Sequence, residues 1–366
     1  MIADSVRTDA YIRAMRQTIK PGSVVIDLGC GPGLFALVAV QLGARRVYAI
    51  EPNDAIQIGR EAARENKCSD RIEFIQELST NVTLPEKADV IVADLHGVLP
   101  WFGQHLPSII DARERLLAPG GVLIPRCDTA WVAIVEAPEQ YDTFVKPWNG
   151  NNGVKLDCVR KVAVNMWSKA RVGAENMLSE AVFFYVLDFS KITGPNFDVR
   201  IEAPVSRKGT AHGFALWFDA DLIEGVEFSN APGGEELIYG NAFFPFTEPV
   251  QVDAGDRFEI RVNAHLLGED YIWRWDTSLA AKNVSLKQST LAGTPLSPSK
   301  LRKRANTHVP KTTEEGAITQ FVLSRMDGVN SIASIATEVA KQFPLRFADG
   351  NEAFDVVGEI SEKYSA

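Results

Sequence analysis

Short apolar runs alternate with amphipathic stretches through the first third of the chain. Val24-Val25-Ile26-Asp27-Leu28 reads as a buried strand, Leu34–Leu42 as a helix, Arg46–Ile50 as a second strand and Asp54–Asn66 as a second helix. Ile72–Gln76, Val90–Ala93 and Val122–Ile124 read as three more strands. This alternation predicts an open parallel sheet with helices on both faces. From Thr129 to Val284 the pattern changes. Thr129–Glu136, Ala181–Asp188, Phe214–Asp219, Phe258–Asn263 and Tyr271–Asp276 are strand-like and separated by Gly, Pro and Asn clusters, which predicts an antiparallel β-barrel or sandwich. One stretch there, Val159–Leu178, has a helical look.

Gly293, Pro295 and Pro298, followed by Leu301-Arg302-Lys303-Arg304, read as a solvated linker with a basic end. Helical spacing then returns. Ile318, Phe321 and Val322 share a face, Met326-Asp327-Gly328 makes a turn, Ile332, Ile335, Ala336 and Val339 mark a second helix, and Phe354, Val357 and Ile360 a third. The expected layout is therefore an α/β domain over 1–126, a β-barrel or sandwich over 127–292, a linker over 293–311 and a small helical domain over 312–366.

Composition narrows the class. With 366 residues, 46% hydrophobic and 23% charged, the chain is neither disordered nor a disulfide scaffold. No apolar run approaches the ~20 residues of a membrane helix. The charged stretch Met1–Lys20 lacks the apolar core of a secretory signal. Cys30, Cys68, Cys127 and Cys158 show no CxxC spacing, which argues against zinc and fits a reducing compartment, so a cytoplasmic location is expected. A net charge of −9 makes general nucleic-acid binding unlike this chain.

Candidate chemistry concentrates in Asp27-Leu28-Gly29-Cys30-Gly31-Pro32-Gly33, directly after the first strand. Three close glycines let the backbone turn sharply and let a ligand approach bare main chain, and the next helix offers free N–H groups. Glu51 ends the following strand, where a carboxylate can accept ribose hydroxyls. Gly31-x-Gly33-x-x-Ala36 satisfies a dinucleotide fingerprint, so a nicotinamide cofactor stays open on that pattern alone. Three features favour S-adenosylmethionine: Asp27 ahead of the glycines, the strand Val90–Ala93 closing on Asp94, and the turn Ala118-Pro119-Gly120-Gly121. Together they resemble the layout of class I methyltransferases.

Val6-Arg7-Thr8 with Tyr11, the glycine loop, Glu51-Pro52, Asp111-Ala112-Arg113 and Leu117–Pro125 look like the protein arginine methyltransferases. That resemblance covers about residues 3–288. It implies a Rossmann-like cofactor domain followed directly by a β-barrel. Arg7 would hold the methionyl carboxylate, Asp27, Gly29, Gly31 and Gly33 would line the cofactor with Asp94, and Glu51 would bind the ribose. Thr80 stands where the family has a Glu near the adenine. It also implies a homodimer through an arm, placed at 159–178.

Departures from the family shape the acceptor expectation. Its two guanidinium-reading glutamates fall on Asp94 and Gly103, and its Thr-His-Trp motif falls near Glu236-Leu237-Ile238. A guanidinium is held best by paired carboxylates. The expectation is a non-arginine acceptor, a peptide or biosynthetic intermediate, with Asp94 and His96 as proton acceptors and Trp101, Phe102 and His105 as substrate walls. A protein arginine or N-methyltransferase with an altered loop, or a cofactor-binding scaffold, is the alternative. Met326-Asp327-Gly328 and Ser331–Ala336 are similar to PqqD-type domains, which implies peptide or partner docking at the C-terminal unit.

Overall fold

The computed structural model describes residues 2–148, 153–347 and 350–365. Five parallel strands, β1 (Val24–Leu28), β2 (Arg46–Ile50), β3 (Ile72–Ile75), β4 (Ala88–Ala93) and β5 (Leu117–Ile124), form one sheet in the order β3-β2-β1-β4-β5. All five residues of β1 are buried, which is why it reads as a continuous apolar run interrupted only by Asp27. Helices α1 (Ser5–Thr18), α2 (Leu34–Gln41), α3 (Ile56–Glu65) and α4 (His105–Arg115) accompany the sheet. The helix α1 was not anticipated. Its start is set by Asp4, whose carboxylate accepts the Arg7 N–H at 3.2 Å, and it buries Arg7, Ala10, Tyr11, Ala14 and Met15.

Parallel register decides where the chemistry lies. Leu28 pairs with Ile50 in β2 and with Ala93 in β4. Gly29, Glu51 and Asp94, each one residue further on, therefore stand side by side at the carboxyl edge of the sheet. That is the edge where open α/β sheets bind ligands.

The barrel half holds β6 (Cys127–Val135), β7 (Ser168–Ala170), β8 (Val182–Asp188), β9 (Phe197–Pro204), β10 (Gly209–Ile223), β11 (Val226–Ser229), β12 (Asn241–Val252), β13 (Arg257–Leu267), β14 (Asp270–Leu279) and β15 (Val284–Ser289). Two antiparallel sheets result. One runs β7-β12-β10-β6-β8 with β11 on β10, the other β15-β14-β13-β9. Apolar clusters join the halves: Ile26, Ile91 and Trp101 pack in the same core as Phe214, Phe244 and Trp273, and Tyr11 and Val25 in the same core as Phe218 and Phe228. The chain up to Pro295 is accordingly one compact unit.

Two expectations are corrected here. The helical look of Val159–Leu178 yields only a short helix, α6 (Asp157–Ala163), which follows α5 (Pro138–Val145). The rest becomes β7 and a 3-10 turn, Ala174–Asn176. The linker 293–311 contains a helix, α7 (Pro298–Arg304), begun by Ser297 accepting the Lys300 N–H.

The second compact unit, Leu296 onward, carries α8 (Glu314–Arg325), α9 (Ile332–Gln342) and α10 (Gly350–Tyr364) around its own core of Ile318, Val322, Ile335, Val339, Phe347 and Val357. Ile332 and Phe354, expected inside, are 36% and 47% exposed. The stripe on α10 is centred on Ala353 and Val357 instead.

Candidate active site

A cleft of about 250 Å³ opens at the carboxyl edge of the parallel sheet, lined by Gly29, Glu51, Asn53, Ser79, Leu95 and Phe102 among others. The glycine turn reaches the cleft at Gly29. Gly29, Gly31 and Gly33 have φ of +70°, +50° and +81°, a region that side chains other than glycine's avoid. The three differ in purpose. A Cβ on Gly31 would meet nothing within 4 Å, so its main chain faces open space. A Cβ on Gly29 would run into the Leu95 side chain, and one on Gly33 would press on Gly59 Cα at 3.2 Å and Phe74 Cε1 at 3.3 Å. Gly31 has open space around it, whereas Gly33 serves helix packing.

Glu51 is 8% exposed and heavily engaged. Its Oε2 accepts the Gly31 N–H at 3.1 Å, and its Oε1 accepts Asn53 N at 2.9 Å and Asn53 Nδ2 at 2.8 Å. A carboxylate has about four acceptor positions, so one remains before Asn53 moves. Asp27 lies beneath the loop rather than among the residues lining the cleft. Its Oδ2 accepts the Ala36 N–H at 2.8 Å in the first turn of α2. Burial pushes its carboxyl up to about 7, against the pull of the Ala36 bond and with a smaller push from Glu51. Burial likewise raises the neighbouring Cys30 thiol, helped by the charges of Asp27 and Glu51. Thr80 is exposed and outside the cleft lining; Ser79 takes the inward place, while the Thr80 carbonyl accepts from Arg115.

Arg7 and Asp94, expected at the cofactor, do not line this cleft; they belong to a polar cluster behind Leu95 that is assembled from separated segments. Asp94, one residue beyond β4, forms a buried ion pair with Arg7 of α1 and accepts the Tyr239 hydroxyl at 3.1 Å. Tyr11 donates to the Ala93 carbonyl at 3.4 Å. Burial raises the hydroxyls of Tyr11 and Tyr239 well above the usual tyrosine range, so both remain protonated donors. Asp4 accepts the Ile238 N–H at 2.8 Å, which ties the start of α1 to the loop that carries Tyr239.

Two expectations for the loop after Asp94 are revised. His96 does not line the cleft. Its Nε2 lies 2.8 Å from Asp128 Oδ2 with both side chains fully buried, so it is not placed to take a proton from an acceptor there. Trp101 is not a substrate wall. It is 3% exposed and packs on Phe197 at 4.4 Å, Tyr185 at 5.8 Å, Phe184 and Trp273 inside the barrel core. Phe102 does border the cleft and is 59% exposed. His105 borders it too, at the start of α4, with Nδ1 2.8 Å from the Pro100 carbonyl. A carbonyl only accepts, so Nδ1 carries the proton. Burial lowers this imidazole well below its ordinary value, and the nearby His96 adds to that, leaving it neutral. Gly103 has φ +45°, and Gln104 Nε2 donates to the Gly268 carbonyl at 2.7 Å, seating the loop on the β13–β14 hairpin.

Sequence reasoning missed Asp128 altogether. A signal existed. Alternation along β6 puts Asp128, Ala130 and Val132 on the buried face and Cys127, Thr129 and Trp131 half outside. An acid at an inward position of an amphipathic strand demands an internal partner.

Residues 7–125 match the family model of ribosomal protein L11 methyltransferase, and residues 128–278 match that of the arginine methyltransferase oligomerization subdomain. Protein arginine N-methyltransferase 6 of Xenopus tropicalis is 30% identical over 275 residues, covering 69% of this chain and 78% of its own length. A probable protein arginine N-methyltransferase 6 of Arabidopsis thaliana is 29% identical, and the chain spans 53% of its length. Among solved structures, the Trypanosoma brucei PRMT1 enzyme–prozyme heterotetrameric complex with AdoHcy shares the fold at a TM-score of 0.73 and 21% identity, and Arabidopsis thaliana protein arginine methyltransferase 10 at 0.67 and 22%. Each alignment covers 79% of this chain and 95% of the other.

Proposed function

The chain belongs to the protein arginine N-methyltransferase family and is an S-adenosylmethionine-dependent methyltransferase; from that premise we propose that it methylates a guanidino nitrogen of arginine in a peptide or protein. The expectation of a non-arginine acceptor, drawn from Gly103 and the lost Thr-His-Trp histidine, is overturned by the relatives, which are named arginine N-methyltransferases. The observation that carries the arginine reading is the 275-residue match to such an enzyme, running through both the cofactor half and the barrel.

The residues fit the cofactor: an open glycine backbone at Gly31 beside the Glu51 carboxylate makes a cradle for a ribose-bearing ligand. When bound, S-adenosylmethionine supplies an electrophilic methyl group. Glu51 would hold the ribose, with Asn53 yielding its place on Oε1. Arg7, a fixed cation, would meet the methionyl carboxylate. Asp94 would then share its charge with the guanidinium of the acceptor, kept in position by the Tyr239 hydroxyl. His105 and Phe102 would border the acceptor.

A homodimer through the barrel half is part of the proposal, supported by the match to the oligomerization subdomain. A peptide-docking role for the C-terminal unit is supported by its exposed apolar residues Val329 and Leu345. Four free cysteines support a cytoplasmic location, and among the described residues no helix is long and apolar enough to cross a membrane. The test is incubation with methyl-labelled S-adenosylmethionine and arginine-containing peptides, then acid hydrolysis. Label in N-methylarginine is expected. Label on another residue type alone would overturn the reading.

A further inference from the structure

The loop between β4 and α4 is held from behind by a pair that stands off the cleft. His96 Nε2 and Asp128 Oδ2 are 2.8 Å apart, and both side chains are fully buried. Asp128 is the second residue of β6, so the bond ties a loop of the parallel-sheet half to the first strand of the barrel half. Among the described residues, neither His96 Nδ1 nor Asp128 Oδ1 has a hydrogen-bond partner. Each side chain thus depends on the other for its polar satisfaction, which is what makes a buried pair specific.

The neighbours of the imidazole give the pair its consequence. Its ring stacks on Phe218 at 5.0 Å and 9°, meets Tyr239 at 6.1 Å and meets His105 edge-on at 4.9 Å. Tyr239 donates to Asp94, and His105 lines the cleft. One buried ring therefore lies against both Tyr239, which holds Asp94, and His105, which lines the cleft.

We infer that the His96–Asp128 pair is a positioning element that pins the acceptor loop to the barrel and sets where Asp94, Tyr239 and His105 stand, without touching the acceptor. The inference rests on the reading that this loop borders the acceptor. Within it, the pair transfers no proton to or from substrate.

The test uses the full chain with two variants. The paired change His96→Leu with Asp128→Leu removes the bond while leaving no buried polar group unpaired, which preserves folding. His96→Gln keeps an N–H at the end of the side chain. Amide hydrogen exchange is followed over 94–105, and methylation of an arginine peptide is measured at saturating S-adenosylmethionine. The leucine pair should exchange at least tenfold faster in 94–105 with β1 and β2 unchanged. Its kcat should fall ten- to a hundredfold while peptide KM moves less than threefold, and His96→Gln should recover most of both losses. Wild-type loop protection in the leucine pair would overturn the inference. So would exchange that rises equally in β1 and β2, or a glutamine variant as impaired as the leucine pair. The exchange measurement decides the positioning role even where no arginine is methylated, so the two readings fail separately.

Discussion

The glycine turn at the cleft and the polar cluster beside it are built in opposite ways. The turn is local. Gly29, Gly31 and Gly33 shape it within five residues, and Glu51 enters because parallel register sets β2 beside β1. The cluster after β4, which stands off the cleft lining, is tertiary. Arg7, Asp94, Asp128 and Tyr239 come from α1, the end of β4, β6 and the loop before β12. A backbone cradle tolerates change in side chains around it, because its donors are main-chain groups. A cluster of mutually satisfied side chains does not, because each member buries the polar group of another.

The largest expected difference lies in the Arg7–Asp94 pair. Asp94→Ala removes one partner of a buried ion pair and should cost about 3–5 kcal/mol of stability, read by urea denaturation. A loss under 1 kcal/mol would place this cluster in the same class as the backbone cradle.

Asp27 gives the next largest effect, through pH. Its folded-state carboxyl is raised to about 7 from the ordinary 3.8, so the native state binds the proton more tightly than the unfolded chain. This stabilisation is present below the unfolded value and is lost as pH rises from about 4 through 7, by up to about 4 kcal/mol. Asp27→Asn keeps an acceptor for the Ala36 N–H and should flatten that part of the stability–pH curve. A wild-type curve already flat between pH 4 and 7 would contradict the burial argument.

On the cradle side, Glu51→Ala should weaken S-adenosylhomocysteine by about 1–3 kcal/mol, the scale of charge-assisted hydrogen bonds. Calorimetry measures it, and unchanged affinity would remove Glu51 from the ribose role. The smallest effect belongs to Thr80→Ala. Its side chain is exposed and off the cleft, so affinity should move by less than about 0.5 kcal/mol, the usual range for surface changes. A loss as large as that of Glu51→Ala would restore the adenine contact that the structure takes from it.

The same contrast explains how much was legible beforehand. The alternation around Val24–Leu28 and Arg46–Ile50 and the glycine loop were readable because strand burial and positive φ follow from local sequence. Tyr239 and Trp101 were visible as residues, yet their directions were not. Trp101 looked like a substrate wall and became barrel core, because Phe184, Phe197 and Trp273 arrive from β8, β9 and β14 to cover it. The helical look of Val159–Leu178 ended at Ala163, where pairing with β12 claimed Ser168–Ala170 for a strand.

What the sequence by itself determined is the glycine turn after β1 and the alternation of strands and helices around it, since both follow from short-range periodicity and from glycine's freedom at φ values other residues avoid. What only the tertiary structure decided is the pairing of polar groups across the interior. His96 is a loop histidine in sequence, and Asp128 a lone acid in a strand. Packing β6 beneath the loop buries both at once, and a buried polar group takes whichever partner the fold brings within hydrogen-bond reach.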